Sequence, residues 1–149
     1  MTSSLNRMFG IVLGALFLLL GLLGFTATGN VGFVATEGGL LLGTFEVNPL
    51  LNVVYMLLGA ALLIGGVASV AAAKMVNGTV GGILLLMGII GFFVVGTEFN
   101  YLALNTADHV LNLVTGAALL GVALAAERHV TPAVTTAGQK SSSYTSDTE

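Results

Sequence analysis

The sequence predicts an all-α integral membrane protein, with four transmembrane helices arranged as two tandem, parallel-repeat helical hairpins. Three observations predict it. Hydrophobic residues make up 56% of the 149 and charged residues only 7%, against roughly 25% charged in a soluble domain. Four unbroken apolar runs each reach the ~20 residues a spanning helix needs. The third and fourth runs repeat the glycines and asparagines of the first and second. An unpaired backbone group in lipid is costly, so such runs form helices, and they lack the alternation of a spanning barrel strand.

The first span is expected from about Arg7 to Phe25. Its apolar stretch is too long for a leader, and no A-x-A site follows it. The second runs from about Pro49 to Ala73, the third from Met75 to Val95, the fourth from Thr106 to Ala126. Four basic residues set the orientation. Arg7 precedes the first span, Lys74 lies between the second and third, and Arg128 and Lys140 follow the fourth. The other two loops carry Glu37, Glu46 and Glu98. The positive-inside rule then places both termini in the cytoplasm, with the cell membrane as the site.

The repeat is read at two offsets. Moved back 67 residues, Lys74, Met75, Gly81, Gly88, Gly91 and Phe92 fall on Arg7, Met8, Gly14, Gly21, Gly24 and Phe25. Moved back 57, Asn105 and Gly116 to Leu120 fall on Asn48 and Gly59 to Leu63. One membrane domain, residues 1–126, therefore holds repeat one (about 7–66) and repeat two (about 74–123). The polar tail, 127–149, is expected to be disordered and cytoplasmic. Each repeat has two spans, so both point the same way, about a pseudo-twofold axis along the membrane normal. Gly10, Gly14, Gly21 and Gly24 share one helical face, as do Gly81, Gly88 and Gly91. Small residues let helix backbones approach closely in lipid.

Local signals fill in the loops. Asn48-Pro49 reads as an N-cap followed by proline at the first helical position. Asn105 with Asp108 three residues on reads as a capping box. Between spans one and two, Glu37-Gly38-Gly39 separates two runs, Val31 to Thr36 and Leu40 to Val47, which predicts a short hairpin turning at those glycines.

The segments Phe45-Glu46-Val47-Asn48-Pro49-Leu50-Leu51-Asn52 with Gly59, and Leu104-Asn105-Thr106-Ala107-Asp108-His109-Val110-Leu111-Asn112 with Gly116, resemble a bacterial family of four-span membrane proteins, the domain of unknown function numbered 4383. The resemblance covers about residues 5 to 126. It implies the fold and the membrane and no activity. It also implies histidines where this chain has Leu51, Tyr55 and Asn112, while Asp108 fits the family pattern.

The candidate site is a polar cluster in the outer third of the bundle. Asn52 and Tyr55 share a face with Gly59, and His109 and Asn112 share one with Gly116. Asp108 and Glu98 are expected close by. Polar side chains in a span usually face protein, because lipid is a poor partner. Two roles are open: fixing helix register, with Asn52 and Asn112 as a bonded pair, or binding a small ligand or cation through Asp108 and His109.

Other chemistry finds little support. There are no cysteines, hence no disulfide or thiolate site. One histidine in the spans is too few for a transition metal or a two-histidine haem. Ser69 lies a membrane's width from Asp108 and His109, so no triad forms. No phosphate-binding glycine loop is present, and a net charge of −3 points away from nucleic acid. The sequence thus reads as a small non-enzymatic membrane component without metal or cofactor. It acts as a scaffold or partner subunit in the envelope, and its partners are the bilayer and either its own copies or another membrane protein. The alternative is a transport or sensing protein that binds a ligand at the outer cluster.

Overall fold

The structure is a computed structural model and describes residues 4–127. Of the tail expected to be disordered, Glu127 is described and the rest, with Arg128, His129 and Lys140, lies outside the described residues.

Four helices make the body: α1 (Leu5–Gly24), α2 (Pro49–Ala68), α3 (Val70–Val94) and α4 (Thr106–Ala125). Twenty residues of helix measure about 30 Å, the thickness of a hydrocarbon core. Only 33–39% of each apolar window is buried. The rest is an apolar outer surface, with Leu57, Ile64 and Met75 all more than 60% exposed. Water would not tolerate so continuous a surface, and lipid requires it. The chain is a multi-pass membrane protein. Its interior is rich in glycine: α1 buries Asn6, Gly10, Gly14, Phe17, Leu20, Gly21 and Gly24.

The two ends of the bundle differ. At the terminal end α1 begins, α4 ends, and α2 passes to α3 through Ser69 alone. At the loop end lie the long connections from α1 to α2 and from α3 to α4. The break at Ser69 corrects the expected boundary near Lys74. Ser69 is extended (φ −162°, ψ 165°), and its Oγ accepts a hydrogen bond from Ala72 N at 3.1 Å, capping α3. A one-residue break leaves no trace in hydropathy. Lys74 therefore lies in the second turn of α3 and not in a loop.

Within each hairpin the glycines set the spacing. A Cβ at Gly14 would stand 2.8 Å from Leu63 N and 2.9 Å from Gly59 O. A Cβ at Gly81 would stand 2.7 Å from Leu120 N and 2.9 Å from Gly116 O. These partners match residue for residue at the two offsets, so Gly14 and Gly81 occupy equivalent places. Phe17 and Leu84, also matched, are both fully buried.

The basic residues cover helix ends. Arg7 Nε donates to Gly66 O at 2.9 Å and its Nη2 to Val67 O at 3.2 Å. Lys74 Nζ donates to Ala126 O at 3.4 Å. Each hairpin thus places a cation against the carbonyl end of its second helix, the favourable end of the helix dipole. Asn77 Nδ2 ties α3 to α1, donating to Asn6 O at 2.8 Å and Asn6 Oδ1 at 3.1 Å. Asn6 Nδ2 in turn donates to Glu127 at 3.0 Å, and hydrogen bonds from Ser4 and Asn6 hold the Glu127 carboxyl below its ordinary range.

The expected hairpin exists at the loop end, but it turns elsewhere. Strand β1 (Gly39–Leu41) pairs antiparallel with β2 (Phe45–Val47), Leu40 opposite Glu46. The turn is Leu42-Gly43-Thr44, with Leu42 (φ 54°) and Gly43 (φ 67°) left-handed. The Glu37-Gly38-Gly39 stretch instead packs inward. A Cβ at Gly38 would collide with Val47 backbone and one at Gly39 with Ala27 O. These glycines serve close approach, and the turn takes the third glycine.

Candidate functional site

The loop end begins with the two caps. Asn48 is extended (φ −122°, ψ 168°), and its Oδ1 accepts from Leu51 N at 2.8 Å, with Pro49 opening the helix. Asn105 Oδ1 accepts from Ala107 N at 2.9 Å and Asp108 N at 3.1 Å. Asp108 Oδ2 accepts from Asn105 N at 3.1 Å, completing the capping box. Each cap also spends its amide nitrogen on the opposite repeat. Asn48 Nδ2 donates to Tyr101 O in the α3–α4 loop at 2.8 Å, and to Ala35 O at 2.8 Å. Asn105 Nδ2 donates to Thr44 O in the β1–β2 turn at 2.8 Å. The matched asparagines are reciprocal latches between the halves.

Two turns further in, Tyr55 OH donates to Asn112 Oδ1 at 3.1 Å. Both side chains are buried. These positions match at the offset of 57. Equivalent residues that touch each other lie next to the pseudo-twofold axis, so this bond marks the axis between α2 and α4. The Phe17 ring packs edge-on against Tyr55, centroids 5.1 Å apart. Leu51 and Asp108, also matched, sit one turn nearer the loops, and both are fully buried.

Asn52 and His109 form a third matched pair, but they do not join the axis. Asn52 fills the notch at Gly24 and donates through Nδ2 to Thr28 Oγ1 at 3.2 Å. His109 fills the notch at Gly91, with the Phe92 ring 4.7 Å away. A Cβ on either glycine would overlap its guest. The expected Asn52–Asn112 bond is therefore corrected. Each faces a different seam, because three residues of helix turn a side chain by about 300° and four by about 400°. Glu98 is also corrected. It is exposed on the α3–α4 loop, and the residue that reaches Asp108 is Glu46, whose backbone N donates to Oδ2 at 3.2 Å.

Several buried polar atoms have no hydrogen-bond partner among the described residues: Asp108 Oδ1, Asn112 Nδ2, Asn52 Oδ1 and both ring nitrogens of His109. Asp108 and Asn112 are four apart on α4 and so lie on one face. An acceptor and a donor left open there could share one small polar guest. No group of three His, Asp or Glu side chains able to hold a metal gathers among the described residues.

Sequence reasoning missed Asn6 and Asn77. The signal was present for Asn77, an amide within the third apolar run, where lipid exposure is costly; Asn6 precedes the first run and carried none. It also missed the loop carbonyls of Tyr101 and Thr44, which no side-chain pattern reveals.

A family model described as a domain of unknown function (DUF4383) matches residues 7–125. The chain belongs to this family. No curated protein and no solved structure matches it. The DUF4383 match takes in both hairpins and both long loops, so the domain is the four-helix bundle itself. Leu51, Tyr55 and Asn112, where the resemblance implies histidines, line the axis beside Asp108. In this DUF4383 chain an alkyl group, a phenol and an amide stand there.

Proposed function

We propose that this DUF4383 protein is a non-enzymatic component of the cell membrane, a compact scaffold or partner subunit that presents pinned loops at one membrane face. The reciprocal latches of Asn48 and Asn105 carry this reading. Their amide nitrogens join the two halves and hold the loops in place. A surface whose backbone is fixed loses less entropy when a partner binds. The partner is a second copy or another membrane protein.

We further propose that both termini are cytoplasmic, which leaves the pinned loops on the outer face. The support is the position of Arg7, Lys74, Arg128 and Lys140 in the sequence. An alkaline phosphatase fused after Lys140 should be inactive, and an active fusion would reverse the topology.

The second reading, a site for a small ligand or cation, draws on the open atoms of Asp108 and Asn112. Thermal unfolding in mild detergent separates the two. A ligand that binds only the folded state raises the midpoint by mass action. The scaffold reading expects wild type and Asp108→Asn to respond alike to millimolar sodium, potassium and calcium. A cation that raises the wild-type midpoint by several degrees and leaves Asp108→Asn unmoved would displace it.

A further inference from the structure

Along the outer flank of α3, at the loop end, lies an apolar groove of about 340 Å³. One wall is Ile83, Leu86 and Ile90. The other is the α3–α4 loop, which folds back to present Phe99, Tyr101 and Leu102. Leu86, Ile90, Phe99 and Tyr101 are each more than half exposed, so the groove opens toward the lipid and not into the bundle. From Ile83 to Val94, both lining it, the helix rises about 16 Å. One leaflet of a hydrocarbon core is about 15 Å deep. The groove therefore has the length of a single acyl chain lying parallel to the helix, and it continues the lipid-facing surface of α3.

The charge nearest the groove selects a headgroup. Glu98 is exposed and directly precedes Phe99. Glu37 and Glu46 lie in the other long connection at the same end, whereas Arg7 and Lys74 cover helix ends at the terminal end. With the cations at the opposite end, the Glu98 carboxylate beside the groove repels a net-anionic head and attracts an ammonium.

We propose that this groove is a lipid site. It seats one acyl chain of a phospholipid from the loop-end leaflet, whose head is phosphatidylethanolamine with its ammonium against Glu98. The proposal does not depend on the scaffold reading.

The test is native mass spectrometry of the full chain in mild detergent, equilibrated with equal amounts of dioleoyl phosphatidylethanolamine and dioleoyl phosphatidylglycerol. Wild type should keep one lipid per chain, with the ethanolamine form favoured at least about fivefold. Leu86→Trp and Leu102→Trp, which fill the groove from opposite walls, should each cut the adduct about tenfold. Leu57→Trp, on the exposed face of α2, should leave it unchanged. Glu98→Gln should keep the adduct and bring the two lipids close to parity. Unfolding midpoints confirm that each variant is folded, and Leu86 is exposed enough for its replacement to be tolerated. A wild type with no retained lipid overturns the proposal. So does an adduct indifferent to both groove-filling variants, or equal retention of the two lipids by wild type. A dimer that both tryptophans disrupt, with no lipid bound, would assign the groove to a second copy instead.

Discussion

Valine at Gly59 or at Gly116 should destabilise the bundle by roughly 3 kcal/mol or more, the upper range for overpacking. The reason is the identity of the neighbours. A Cβ at Gly59 would stand 2.5 Å from Leu18 N and 2.7 Å from Gly14 O. A Cβ at Gly116 would stand 2.8 Å from Leu85 N and 2.9 Å from Gly81 O. Backbone atoms inside a helix cannot swing away as a side chain can, so whole helices must separate. In lipid that separation forfeits the packing on which helix association rests. The two variants should cost similar amounts, since their contacts match. Gly82 and Gly121 supply the contrast, because a Cβ there meets nothing within 4 Å. Alanine at either should be neutral or stabilising by about 0.5–1 kcal/mol, the ordinary gain over glycine in a helix. Unfolding in mixed detergent micelles measures all four.

The second large effect is expected at the axis. Asn112→Leu leaves the Tyr55 hydroxyl buried with its acceptor gone, and an orphaned polar group costs about 1–3 kcal/mol. Tyr55→Phe strands the Asn112 carbonyl oxygen in the same way. Asn112 Nδ2 already lacks a partner among the described residues, so Asn112→Leu also removes one unsatisfied donor. Tyr55→Phe offers no such relief and should be the costlier of the two.

Much of this fold was legible because lipid and glycine leave strong marks. The four apolar runs give four helices, since backbone in lipid has no other outlet. The constant offset of Gly14 to Gly81 gives the equivalence of the hairpins. Asn48 with Pro49, and Asn105 with Asp108, mark helix starts because capping is local chemistry. What escaped was non-local or masked by apolar text. The break at Ser69 is one residue in an apolar stretch. The hairpin turns at Leu42-Gly43 because Gly38 and Gly39 are consumed by close approach to Val47 and Ala27, a competition set by tertiary packing. The candidate site was legible in its membership and not in its pairing. Asn52, Tyr55, Asp108, His109 and Asn112 are all buried, yet only Tyr55 and Asn112 bond to each other across the repeats. Helical phase alone does not say which seam each faces. The latches to Tyr101 O and Thr44 O depend on loop carbonyls, about which side-chain identity is silent.

The central claim is that polar contacts between matched positions hold the two halves together on the pseudo-twofold axis. A double-mutant cycle on Tyr55 and Asn112 tests it most directly. Unfolding free energies are measured for wild type, Tyr55→Phe, Asn112→Leu and the combined variant. The combined variant should be less destabilised than the sum of the singles by about 1 kcal/mol, the net worth of a buried hydrogen bond between helices. Strict additivity would contradict the claim, because it would mean that the two side chains contribute independently and that nothing polar joins the halves at the axis.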